Sequence, residues 1–140
     1  MILRQGATRG PIVSMKTRHF RDLRVWQKSM ALAAEIYALT ERFPRREIFG
    51  LSAQMRRSAV SVPSNIAEGH GRLSDRNLAV FLGHARGSLF ELECQTDLAR
   101  QLGFADAGSA RKIVADINEV ARMLNALLSK VQPNAATTRP

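Results

Sequence analysis

Residues 78–102 read LAVFLGHARGSLFELECQTDLARQL, and within them Leu78, Phe81, Leu82, Ala85, Leu89, Leu92, Thr96, Ala99 and Leu102 recur at steps of three and four. That period belongs to an amphipathic α-helix, here of about seven turns, with one face turned to a core. Ser74 or Asp75 ahead of it can cap the exposed amide groups, and Gly103 behind it stops it. Gly83 and Gly87 inside it each weaken a helix by about 1 kcal/mol relative to alanine, which predicts close packing against another helix.

The same reading extends in both directions. After a loop at Phe104–Gly108, Ile113, Ile117, Val120, Leu124, Leu127 and Val131 share a face of a helix over 109–131, widened by Val114, Ala121 and Leu128. Toward the N-terminus, Leu51, Met55, Ala59, Val62 and Ile66 are spaced for a helix that starts near Gly50. Pro63 predicts a kink there, or two helices nearly end to end, because proline deletes a backbone hydrogen bond. Gly69 and Gly71 are expected to close this segment in left-handed geometry. A first helix over 25–43 carries Trp26, Met30, Ala33 and Tyr37, flanked by Leu32, Ile36, Leu39 and Phe43, and Pro44 ends it.

Four helices of roughly 18 to 28 residues joined by short connections predict an all-α fold, an antiparallel up-and-down four-helix bundle. The bundle spans 16–131, preceded by a leader at 1–15 without apolar period, with Met15 as an alternative start, and followed by a tail at 132–140. Its first helix is apolar on more than one face, and Ala59 to Ile66 mixes serines with valines and isoleucine. Such surplus suits either a second copy of the chain or a broad stripe buried in one bundle.

Composition narrows the function classes. The single cysteine, Cys94, excludes a disulfide inside one chain and fits a reducing, cytoplasmic setting. No run of eighteen uncharged apolar residues occurs, so a membrane role is not expected. Twenty-one Lys and Arg against twelve Asp and Glu give a net charge of +9, a bias toward polyanions. Residues 1–76 hold fourteen basic and six acidic side chains, so the first half carries nearly all of it.

The chemistry of that half is arginine. Arg45, Arg46, Arg56, Arg57, Arg72 and Arg76 gather around the ends of the second helix and the loop after it, with Arg18 and Arg21 ahead of the first helix. The planar guanidinium fork matches phosphate oxygens, and each phosphate neutralised releases counterions. These eight residues form the candidate nucleic-acid site; the alternative is a solvated cluster paired with Glu47, Glu68 and Asp75. Few aromatic residues accompany them in sequence, which favours recognition of backbone phosphates over base stacking.

Catalysis has little support. His19, His70 and His84 are far apart, and the chain lacks His-x-x-x-His, Cys-x-x-Cys and Glu-x-x-His spacings, so no metal and no cofactor is expected. Gly69-His70-Gly71-Arg72 lacks the later glycine and lysine of a phosphate-binding loop. A small helical ribonuclease using His70 or His84 is the least favoured reading, since its acid and base must be placed together. Asn65 and Glu68 stand three apart on one helical face and read as architectural, Glu68 pairing with Arg57 or Arg72 in an ion pair whose burial would fix subunit register.

Several blocks together carry a family resemblance. Phe20 to Gln27, Ile36-Tyr37, Phe43-Pro44, Glu47 to Leu51, Gln54 to Arg57, and Val62 to Gly69, followed by Phe81-Leu82, Gly87-Ser88, Glu91 and Leu102 to Phe104, resemble in order the four-helix-bundle family of proteins encoded by intervening sequences in bacterial 23S ribosomal RNA genes. The resemblance covers roughly residues 18 to 130 and makes Trp26, Asn65, Glu68 and Gly69 structural motif positions. It extends to the accessory protein of diversity-generating retroelements, and so implies a homopentameric ring that binds nucleic acid, RNA first. A scaffold for a polymerase or reverse transcriptase is the alternative it implies. Val62 and Phe104 depart from the isoleucine and tyrosine common in the family.

Overall fold

Three of the four helices start at a side-chain acceptor that the sequence supplies. The computed structural model describes residues 19–136, with side chains described to Val131. Its four helices are α1 (Arg24–Glu41), α2 (Leu51–His70), α3 (Asp75–Gln101) and α4 (Ala107–Ala136). Short 3-10 turns at Phe20–Asp22 and Arg45–Glu47 precede α1 and α2. The leader proposed at 1–15 lies outside the described residues, and α4 runs through the first residues of the segment read as a tail.

Ser74 caps α3, its Oγ accepting from the Asn77 amide at 3.1 Å. Asp106 caps α4 in the same way, accepting from the Ser109 amide at 2.8 Å and from the Ser109 hydroxyl at 3.1 Å. Those bonds, the amide's first, hold the Asp106 carboxyl below its usual range. Glu47 reaches forward from its turn to accept from the Leu51 amide at 2.9 Å, which starts α2. Gly103, with φ of 79°, takes the left-handed geometry that ends α3, as its sequence position predicts.

The helices pack in cyclic order, α1 on α2, α2 on α3, α3 on α4 and α4 back on α1. Each sequential pair is joined by a short connection, which gives the up-and-down arrangement. No strand occurs among the described residues. The core is the stripe expected from the spacing: Ile36, Met55, Val62, Ile66, Leu78, Leu82, Leu89, Leu92, Ile117 and Leu124 are all fully enclosed.

Three local expectations are corrected. α2 continues unbroken through Pro63 rather than dividing in two; its packing on both α1 and α3 outweighs the roughly 3 kcal/mol that an interior proline costs. Gly69 and Gly71 do not end it in left-handed geometry, since Gly71 has φ of −80° and Gly69 lies inside the helix. Gly69 is instead a contact glycine, where an added Cβ would meet Phe81 Cβ at 3.0 Å and Leu78 Cδ1 at 3.2 Å. Gly83 and Gly87, expected to pack closely, are exposed and an added Cβ at either meets nothing within 4 Å.

Candidate nucleic-acid interface

The 20-residue α2 rises 1.5 Å per residue, so its ends stand about 30 Å apart. Arg45 and Arg46 sit in the turn at one end, and Arg72 and Arg76 at the other. Arg21 lies on the Phe20–Asp22 turn, which packs on α1 and α2. Arg56 and Arg57 fall between these groups on α2, and Arg18 lies outside the described residues. The predicted arginines thus stand on α2, in the turns ahead of α1 and α2, in the link after α2 and, with Arg76, in the first turn of α3.

Their engagement differs. Arg56 is held inside the fold: its Nε donates to Thr40 Oγ1 at 2.8 Å, a terminal nitrogen to Glu41 at 3.1 Å, and its guanidinium lies 4.6 Å from the centre of the Tyr37 ring. Arg72 pairs with Glu68 at 2.7 Å, one helical turn away, and covers the face of Phe81 at 4.6 Å. The Glu68 pairing with Arg72 expected from sequence is present, with both side chains about half exposed in the single chain. Exposed pairs of this kind contribute about 0 to 1 kcal/mol, and a phosphate can take the place of the carboxylate. Arg45, Arg57 and Arg76 are exposed and form no salt bridge among the described residues.

The few aromatic rings near these arginines in sequence and space stand directly against four of them. Besides Arg56 and Arg72, Arg21 covers Phe20 at 5.1 Å and Arg46 covers Phe104 at 5.8 Å. Sequence reasoning missed a fifth pair, Arg86 over Phe90 at 5.1 Å on the exposed side of α3. Their spacing of four residues was the available signal. A guanidinium resting on a ring is desolvated on one face and planar on the other, where an unpaired base can stack. The interface thus offers flat cations as well as charge.

The motif residues make contacts within the fold. Trp26 packs half-buried against the core, its ring tilted edge-on to Phe20 with the ring centres 5.2 Å apart. Asn65 donates to the Ser61 carbonyl at 2.8 Å and to its hydroxyl at 3.0 Å, and Ser61 bonds Ser88 of α3 at 2.8 Å. That chain of polar contacts joins α2 to α3 beside the contact at Gly69.

Two further surfaces lie on α1. On its α4 side, Lys112 bonds Glu35 and, at 2.8 Å, Asp116, while Lys28 pairs with Glu119 at 3.1 Å. On its α2 side an open apolar groove of about 490 Å³ runs past Phe20, Trp26, Met30, Tyr37, Val60 and Pro63. Met30, Tyr37 and Val60 are 44%, 46% and 41% exposed, unusual for apolar groups lined up on one face. Among the described residues, no helix is long and apolar enough to cross a membrane.

Among solved structures, this fold is similar to a protein of unknown function from the S23 ribosomal protein family of Bacteroides thetaiotaomicron. The two share 23% identity with a TM-score of 0.68, covering 74% of this chain and 97% of that one. At that identity the likeness concerns the fold alone. No curated protein matches the chain. A family model described as 23S rRNA-intervening sequence protein matches residues 21–126. Because that match runs from the turn ahead of α1 well into α4, and so over all four helices, the chain belongs to the 23S rRNA-intervening sequence protein family.

Proposed function

We propose that this protein is a non-catalytic, self-associating RNA-binding protein that grips backbone phosphates along α2 and its flanking turns. The observation that carries the reading is the set of exposed arginines that form no salt bridge among the described residues, Arg45 in the turn ahead of α2, Arg57 on α2 and Arg76 in the first turn of α3. Ten basic side chains against six acidic ones in residues 19–76 leave that part of the described chain with a positive excess. Spacing along about 30 Å suits a ligand that carries repeated charge, such as a nucleic-acid strand, better than a single small anion.

Self-association, in a ring of five copies, follows from the family resemblance and is supported by the apolar groove between α1 and α2. A groove with Met30, Tyr37 and Val60 open to water is costly in a lone copy and suited to covering by another. In a ring the arginines repeat, and modest individual contacts become avid. Titrating labelled single-stranded RNA over a salt series tests the reading: affinity should fall linearly in logarithmic terms as salt rises. Absence of binding at low salt would end it.

A further inference from the structure

The groove between α1 and α2 is concave, and two concave faces laid against each other leave their centres uncovered. Filling it takes an apolar ridge, and α3 carries one. At about 100° per residue, Val80, Gly83, Gly87, Phe90, Cys94 and Leu98 fall within an arc of about 80°, opposite the buried Leu78, Ala85 and Leu89. All six are exposed, Val80, Phe90 and Leu98 by 49%, 44% and 44%, and no other residue between 77 and 100 falls on that arc. The outermost line of a bundle helix in water is ordinarily charged; this one carries no charge.

Shape, charge and level fit the two faces together. Gly83 and Gly87 have no side chain, and a Cβ at either meets nothing within 4 Å. The middle of the ridge therefore leaves room for Met30, Tyr37 and Val60, which stand out of the groove. Glycine weakens α3 there relative to alanine, and within one chain no close contact offsets that loss. Residues 88–99 of α3 hold Glu91, Glu93 and Asp97 and no basic side chain, whereas 76–87 hold Arg76 and Arg86 and no acidic one. The groove runs on past Tyr37 and Val60 to Arg56, near the Pro44 end of α1. Opposite charges meet when the α3 of a second copy runs in the same direction as α1. Within its own chain α3 has that direction too, because the bundle alternates up and down. Ser61 bonds Ser88 and Val60 shares the groove with Tyr37, so Gly87 stands level with the middle of the groove. A rotation about an axis along the bundle, with no slide, then brings the ridge of one copy to the groove of the next.

We propose that the groove between α1 and α2 receives the outer face of α3 from a second copy, seated parallel to α1 with its Glu91–Asp97 half toward Arg56. This inference rests on the self-association reading and names the surface that covers the groove. Each copy offers a groove on one side and a ridge on another, so the contact is head-to-tail, and a ring forms where the rotation closes.

Two full-chain variants are compared with the unaltered chain by light scattering, at a concentration where the unaltered chain is fully assembled. Met30→Glu with Val60→Glu spoils the groove and keeps the ridge; Gly83→Glu with Gly87→Glu spoils the ridge and keeps the groove. The second pair points into open space and replaces glycine by a better helix former, so the fold stands, as circular dichroism should show. Each variant alone should have the mass of one chain, and the equimolar mixture the mass of two, because one intact groove then meets one intact ridge. Either variant keeping the mass of the unaltered chain overturns the pairing. So does a mixture that stays at one chain, as expected when grooves meet only grooves and ridges only ridges. An unaltered chain with the mass of one removes self-association itself, whereas a larger mass together with either of those two results leaves self-association standing and removes the pairing of groove with α3.

Discussion

A Cβ placed on Gly69 of α2 would stand 3.0 Å from the Cβ of Phe81 in α3, so the two helices meet at a point where only glycine fits without a shift. Phe81 Cβ is anchored to its backbone and cannot swing aside. Gly69→Ala gains about 1 kcal/mol of helix propensity and loses about 1 to 3 kcal/mol to overpacking. Net destabilisation is expected, read as a lower midpoint in urea unfolding. Gly87→Ala, on the open side of α3, should go the other way by about 0.5 to 1 kcal/mol.

Removing the orphaned acceptor at Gln95 should strengthen the fold. Gln95→Leu keeps the approximate volume and deletes a buried Oε1 that has no donor, a group whose burial costs about 1 to 3 kcal/mol. The urea midpoint should rise. A fall would mean that the glutamine already has a partner in solution.

The α1–α4 seam predicts a pH dependence with a definite sign. Burial, and then a hydrogen bond with Asp116, hold Glu35 above its ordinary value of 4.5, against the opposing pull of Lys112. Burial pushes Asp116 upward too, but hydrogen bonds with Glu35 and Lys112 outweigh it and hold that carboxyl below 3.8. A raised carboxyl binds more protons folded than unfolded, so the stability it contributes is present below 4.5 and lost as pH rises through its folded value. Asp116 and Asp106 act oppositely, contributing stability above 3.8 that is lost as pH falls through their lowered values. Glu35→Gln should therefore remove the decline in melting temperature as pH rises above 4.5 and leave the acid limb in place.

The groove between α1 and α2 predicts the behaviour of charged variants. Met30→Glu with Val60→Glu places two carboxylates on the exposed apolar line. Light scattering should then give the mass of a single chain where the unaltered protein gives a larger one. An unchanged mass would place self-association elsewhere.

Much of this was legible from helical spacing. Leu78, Leu82, Ala85, Leu89, Leu92, Thr96 and Ala99 were picked out by their three- and four-residue steps, and all are buried. Helix propensity without angular position misplaces the glycines. At about 100° per residue, Gly87 lies opposite Leu78 on the outer face, while Gly69 falls close to the direction of Val62, inside the core stripe. A glycine on the buried stripe marks a helix contact; one on the outer face does not. Arg56 over Tyr37 could not be read from the chain, because the pair forms only when α1 and α2 pack. Nor does spacing reveal that Gln95 lacks a donor, which depends on every group that surrounds it.

The most direct test of the central claim is the salt dependence of RNA binding, compared between the unaltered chain and an Arg45→Gln, Arg57→Gln, Arg76→Gln variant. Three lost phosphate contacts should weaken binding at low salt and flatten the plot of log affinity against log salt by about 2 units. A variant with the same slope as the unaltered chain, or an unaltered chain whose affinity is indifferent to salt, would contradict phosphate recognition along α2.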